Sequence, residues 1–204
     1  MYFRYGTMNS SKSMNLIASV HNYESKGDKV VVIKPSLDTR SANGFIESRV
    51  GTKTECIDIS LKDSILTCVK TEMDKKGSIS CVFVDECQFL TQEQAFELIS
   101  IADTMRIPVI AYGLRTDFRG ILFVASNVLL SHADKIEEIK TVCHVKGCKR
   151  KAMYNQRVVN GKPVFKGDSI LVGDTISNTN IRYEPKCRFH FMADMIDSQK
   201  GGNN

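Results

Sequence analysis

Met1-Tyr-Phe-Arg-Tyr-Gly-Thr-Met-Asn-Ser-Ser-Lys-Ser13 opens the chain, and its reading decides the fold. Met1–Tyr5 is a short apolar stretch suited to a strand. Gly6–Ser11 is a loop of small residues. Lys12–Tyr23 places apolar residues at 14, 16, 17, 18 and 20, a spacing that predicts a helix rather than alternation. Gly6, Thr7, Met8, Asn9, Ser10, Ser11, Lys12 and Ser13 fit the pattern G-x-x-x-x-G-K-[ST] at every fixed position but one, where Ser11 replaces glycine. In that pattern the backbone N–H groups at a helix N-terminus cradle phosphates. The lysine reaches the β- and γ-phosphates, and the hydroxyl ligates Mg²⁺. A serine that accepts helical φ/ψ leaves the loop intact; one forced elsewhere restricts it. Without its context the stretch is a polar loop, but strand before and helix after are what the chemistry requires.

Working outward, the next 130 residues alternate in the same way. Lys29–Lys34 holds Val-Val-Val-Ile, a β-branched run typical of a strand buried on both faces, and Ile79–Val84 is a second. Thr91 with Gln94 forms a capping-box pattern, predicting a helix to about Met105. Ile107–Leu114 reads as a third buried strand. Ile121–Leu130 reads as a short helix and Lys135–Val142 as another strand. Such alternation implies βαβ units, hence an α/β, P-loop NTPase-like domain with a mainly parallel sheet flanked by helices. We place it at residues 1–142. The strand at 79–84 ends in Asp85-Glu86-Cys87-Gln88-Phe89. A lone acidic pair is a solvated turn. Beside a phosphate loop, Asp85 suits Mg²⁺ support and Glu86 suits a general base near the γ-phosphate.

The character changes after Thr141. Residues 140–190 carry eleven Lys/Arg against Asp168, Asp174 and Glu184, so this segment is more basic than the whole chain at +5. A solvated face explains that, as does a phosphate-bearing partner. Asn160-Gly161 between Tyr154–Val159 and Val164-Phe165 is a hairpin signal. Asn178–Arg182 reads as a loop. Cys143-x4-Cys148 and Cys187-x2-His190 are two short-spaced ligand pairs suited to structural Zn²⁺, with His144 an alternative ligand. A small zinc-ribbon-like β domain is therefore expected over 143–191, followed by a disordered tail over 192–204. Cys56, Cys68 and Cys81 read as core thiols.

Composition excludes other classes. With 204 residues, 42% hydrophobic and 25% charged, the chain is neither disordered nor fibrous. No apolar run approaches the ~20 residues of a membrane span. The N-terminus shows no secretory pattern, so a cytoplasmic, thiol-reducing location is expected.

Taken together, these stretches resemble a thymidine kinase of the zinc-containing type, in its bacterial and phage branch. The resemblance rests on Tyr5–Ser13, Lys34-Pro-Ser-Leu-Asp-Thr-Arg40, Val84–Leu90, Tyr112-Gly-Leu-Arg-Thr-Asp-Phe-Arg-Gly120 and Cys187-Arg-Phe-His190, and covers about residues 2–191. It implies ATP-dependent phosphorylation of the 5′-hydroxyl of thymidine or deoxyuridine with Mg²⁺, and a structural zinc. It implies Glu86 as base, and the loop residues, Asp85, Gln88, Arg40 and Arg119 around ATP and Mg²⁺. Met8, Phe89, Leu114, Phe118, Phe123 and Tyr183 would wall the nucleoside site. Backbone groups near Leu171, Val172 and Gly173 would read the base, on a loop from about Asn155 to Tyr183. A homotetramer with feedback inhibition by thymidine triphosphate is implied too, with no nucleic-acid or membrane partner. Two other readings stay open: a nucleic-acid-stimulated ATPase with a zinc ribbon, and a non-catalytic zinc-ribbon module with a degenerate loop. The first lacks an aromatic stacking series.

Overall fold

A computed structural model describes residues 1–39, 41–169 and 180–200. The chain separates into two units. One comprises Met1–Tyr5, Ser11–Leu114 and Phe123–Glu138; the other comprises Gly6–Ser10, Arg115–Leu122 and the chain from Ile139 onward. The second thus begins four residues before the expected boundary at 143 and takes in two earlier loops.

The first unit runs β1 (Tyr2–Tyr5), α1 (Lys12–Glu24), β2 (Val30–Pro35), β3 (Phe45–Glu47), β4 (Lys53–Glu55), β5 (Ile57–Ile59), α2 (Ile65–Lys76), β6 (Cys81–Val84), a 3₁₀ turn (Cys87–Phe89), α3 (Gln92–Thr104), β7 (Val109–Gly113), α4 (Val124–His132) and β8 (Lys135–Glu138). Six strands form one sheet in the order β5-β2-β6-β7-β1-β8. Every pairing in it is parallel. All residues of β2, β6 and β7 are buried, as their unbroken apolar runs predict. Phe3, Val31, Ile33, Val82, Val84, Val109 and Ala111 from the strands join Val69, Leu98, Ile101 and Leu129 from the helices in one apolar cluster. Thr91 makes the complete capping box with Gln94 that the sequence predicts. The stretch between β2 and β6 carries α2 and three short strands that the sequence reading left unassigned. Within it, Lys34 is almost fully buried and donates to Ser41 Oγ at 3.1 Å and the Phe45 carbonyl at 3.0 Å, with Asp58 at 3.5 Å. That lysine ties the end of β2 to the β3–β4 hairpin.

The second unit contains β9 (Tyr154–Val159), β10 (Lys162–Val164), β11 (Ile181–Lys186) and α5 (Arg188–Lys200), with strand order β10-β9-β11. Asn160 and Gly161 form the predicted two-residue turn, with φ of 50° and 80°. Two expectations need correction. Ile181 and Arg182 lie in β11 rather than in a loop. The expected disordered tail over 192–204 is helical as far as Lys200. The first ten residues of the 155–183 segment are the strand and hairpin that the Asn160-Gly161 signal predicts. Tyr154 stacks on Phe191 of α5 with centroids 4.2 Å apart, and Phe165 meets Phe191 edge-on at 5.4 Å. These rings dock a helix whose buried face is otherwise minimal.

Candidate active site

In the first unit, α1 begins where the phosphate loop ends. Ser11 has φ 64° and ψ 29°, the left-handed region, and its side chain makes no capping bond. This backbone is what the pattern's glycine normally supplies, so Ser11 does not take the helical geometry that would make the substitution neutral. A non-glycine residue there costs about 1–2 kcal/mol. Lys12 is buried at the first turn of α1. Ser13 Oγ donates to Asp85 Oδ2 at 2.8 Å. A hydroxyl from the first turn of α1 and a carboxylate oxygen from the end of β6 therefore converge, an oxygen donor set suited to Mg²⁺.

Glu86 follows Asp85 with φ 48°, left-handed again, and donates its amide N–H to Asp85 Oδ1 at 3.0 Å. Non-glycine residues in this region concentrate at functional sites. Glu86 is 4% exposed and Gln88 3%. Gln88 Nε2 donates to Glu86 Oε2. Burial pushes the Cys87 thiol well up, and the Glu86 and Asp85 carboxylates add to that. Cys87 is therefore an inert buried thiol. Phe89 and Phe123 meet edge-on at 6.2 Å, and Leu114 is buried.

The second unit holds the loop Gly6–Ser10. A Cβ on Gly6 would fall 2.4 Å from Ser10 Oγ and 2.5 Å from the Ile139 carbonyl, so only glycine fits. Ser10 Oγ is buried with no hydrogen-bond partner among the described residues. A buried hydroxyl in that state is suited to an anionic ligand. The Met8 N–H donates to Asn155 Oδ1 at 2.7 Å. Arg119 is held by Asp117, with Nε and Nη2 at 2.8 and 2.6 Å from Oδ2, and its Nη1 donates to the Gly167 carbonyl. Arg157 is buried, lies 3.5 Å over the Phe118 ring, and donates to Tyr183 Oη at 3.0 Å and the Asp168 carbonyl at 2.8 Å. Phe118 and Tyr183 thus share one guanidinium. Sequence reasoning missed Asn155, Asp117 and Arg157, because no motif marks them. Arg40, Leu171, Val172 and Gly173 lie outside the described residues.

Also in this unit, the ligand atoms of Cys143, Cys148, Cys187 and His190 all lie within 4.8 Å of one another. His190 Nδ1 is 3.4 Å from both Cys143 Sγ and Cys187 Sγ. The x4 spacing closes because Gly147 turns at φ 79° and the Cys143 N–H donates to the Arg150 carbonyl. Three thiols and one imidazole at this separation fit a tetrahedral metal site of the zinc kind. His144 is outside the cluster. Burial opposes ionisation of Cys187, but the His190 backbone N–H and the Cys143 and Cys148 thiols outweigh it and lower its pKa, while that of Cys143, in the same cluster, is raised by burial.

A parallel sheet, a phosphate-loop strand–helix junction and an acidic strand end define a phosphate-loop α/β protein with a metal-binding appendage. A family model for thymidine kinase matches residues 1–191, and the chain belongs to that family. A thymidine kinase from Streptococcus pyogenes serotype M3 is 41% identical over 191 residues, 94% of this chain and 96% of that protein. One from Streptococcus agalactiae serotype Ia matches with the same identity and coverage. Among solved structures, the Pif1 helicase of Candida albicans aligns with a TM-score of 0.42 and 13% identity, over 68% of this chain and 35% of that one. That likeness is too slight to bear on function.

Proposed function

We propose that the protein transfers the γ-phosphoryl group of ATP to the 5′-hydroxyl of thymidine, and accepts deoxyuridine as well. The observation that carries this reading is the hydrogen bond from Ser13 to the buried Asp85–Glu86 pair, with Lys12 on the same helical turn as Ser13, in a chain of the thymidine kinase family. The 5′-oxygen attacks the γ-phosphorus, the bond from that phosphorus to the β-bridging oxygen breaks, and ADP leaves. Glu86 takes the hydroxyl proton as the bond forms. Lys12 and the loop N–H groups hold the triphosphate, and Arg119 adds positive charge where the transferred group spreads its own. Ser13 and Asp85 would hold Mg²⁺, which neutralises charge on the phosphate oxygens when bound. Phe89, Phe118, Phe123, Met8, Leu114 and Tyr183 would wall the nucleoside site. Zinc is the metal we assign to Cys143, Cys148, Cys187 and His190. A cytoplasmic homotetramer inhibited by thymidine triphosphate belongs to the same reading.

The test is an assay with Mg-ATP and each deoxynucleoside, without nucleic acid. Monophosphate from thymidine and deoxyuridine is the expected product. Glu86→Gln should lower kcat by about 10²–10⁴-fold while ATP binding survives. ATP hydrolysis that needs DNA or RNA, with no nucleoside product, would overturn the reading.

A further inference from the structure

Gln88 sits two residues past Glu86 in the 3₁₀ turn, and its carboxamide is used at both ends. Oε1 accepts from the Leu114 backbone N–H at 2.9 Å. A backbone N–H can only donate, so this contact fixes the orientation of the amide and leaves Nε2 facing Glu86. Nε2 then donates to Glu86 Oε2. The Leu114 carbonyl accepts from Ser126 Oγ at 2.6 Å, and Ser126 is fully buried in α4. Gly113 completes the bracket by having no side chain. A Cβ there would lie 2.6 Å from Gln88 Oε1 and 2.6 Å from Cys87 Sγ. Ser126, Leu114 and Gln88 thus form a chain of hydrogen bonds from α4 through the end of β7 to the Glu86 carboxylate.

We propose that Gln88, braced by Leu114 and Ser126, is the positioning residue that orients the Glu86 carboxylate. This rests on the reading of Glu86 as the base, and it gives Gln88 a different task from contacting the nucleotide. A donor held in place on Oε2 fixes the direction in which the Glu86 carboxylate faces. The other ionisable groups nearby are Asp85, which accepts the Glu86 N–H, and Lys12 and Cys87, both within electrostatic reach. The bracket runs through backbone groups of β7, so it needs no flexible side chain to hold its geometry.

The experiment measures kcat, both KM values and equilibrium Mg-ATP binding for Gln88→Leu, Gln88→Glu and Ser126→Ala, with Glu86→Gln in parallel. Gln88→Leu should lower kcat by about 10–100-fold, the scale of a misplaced catalytic group. KM for both substrates and ATP binding should stay near wild type. Ser126→Ala should lower kcat about fivefold, the loss of one hydrogen bond. Gln88→Glu removes the Nε2 donor and sets a second carboxylate against Glu86, so it too should lower kcat while both KM values and ATP binding hold. Weakened ATP binding that accounts for the Gln88→Leu loss would overturn the proposal, as would an unchanged kcat. If Gln88→Leu does not fold, Gln88→Glu and Ser126→Ala decide by the same criteria. If Glu86→Gln collapses turnover while the Gln88 and Ser126 variants do not, only the positioning role fails. If Glu86→Gln itself turns over normally, the base reading fails and this proposal falls with it.

Discussion

The two units are held together by different physics. The sheet unit buries three whole strands between helices, and its apolar cluster draws on nearly every element from β1 to α4. Among the described residues, the second unit offers three short strands, one helix with a single buried residue, a cluster of aromatic rings and four candidate metal ligands. Burial at about 25 cal/mol per Å² stabilises the first without help. For a small module like the second, metal binding free energy is folding free energy. The first unit thus draws on a distributed apolar core, and the second on a small cluster of rings and one candidate metal site.

The strongest way to break this comparison is to remove the metal. Chelation, or Cys187→Ser, should abolish amide-exchange protection in β9 and β11 while β6 and β7 keep theirs. Structural zinc contributes on the order of 10 kcal/mol in comparable small sites, so the loss should be complete rather than partial. Uniform loss across both units would show that they fold as one.

Next in size is Lys34→Ala. It takes the cation from beside Asp58 and one donor from the Phe45 carbonyl, leaving them the Gly44 N–H and Ser41 Oγ, and empties a buried site. Breaking a buried ion pair costs about 3–5 kcal/mol, and the lower end applies because Asp58 is partly exposed. Thermal unfolding should shift down by roughly 2–4 °C for each kcal/mol in a chain of this length. Gly113→Ala is a gentler probe of the same unit. Its Cβ presses on Gln88 and Cys87, which should cost about 1–3 kcal/mol and reduce turnover beyond that loss of stability. The smallest expected change has the opposite sign. Ser11→Gly removes left-handed strain, so it should stabilise the protein by about 1 kcal/mol, read as a raised denaturant midpoint.

Much of the sheet unit was legible from sequence because its signals are local. Val30–Ile33 and Cys81–Val84 are unbroken apolar runs, and Thr91-x-x-Gln94 caps a helix from within its own turn. Where the pattern weakened, the reading did too. Helix α5 buries only Phe191, so it shows no periodic stripe. Strand β11 contains Pro185, which argues against a strand; it is tolerated because β11 lies at the edge of its sheet. The β3–β5 strands are three residues each, too short for alternation to register.

The candidate site divides along the same line. Sequence by itself picked out the candidate phosphate loop, the Asp85-Glu86 pair and the four candidate metal ligands. Each is a set of residue types at a spacing that chemistry demands, and spacing survives in one dimension. Only the tertiary structure decided that Ser11 is left-handed and that Gly113 is glycine to clear Gln88. It alone showed that Gln88 points its donor at Glu86, and that Arg157 joins Phe118 to Tyr183. Those facts depend on which distant backbone groups strand pairing sets side by side. The Leu114 N–H that orients Gln88 lies 26 residues further along the chain, and no local pattern records it.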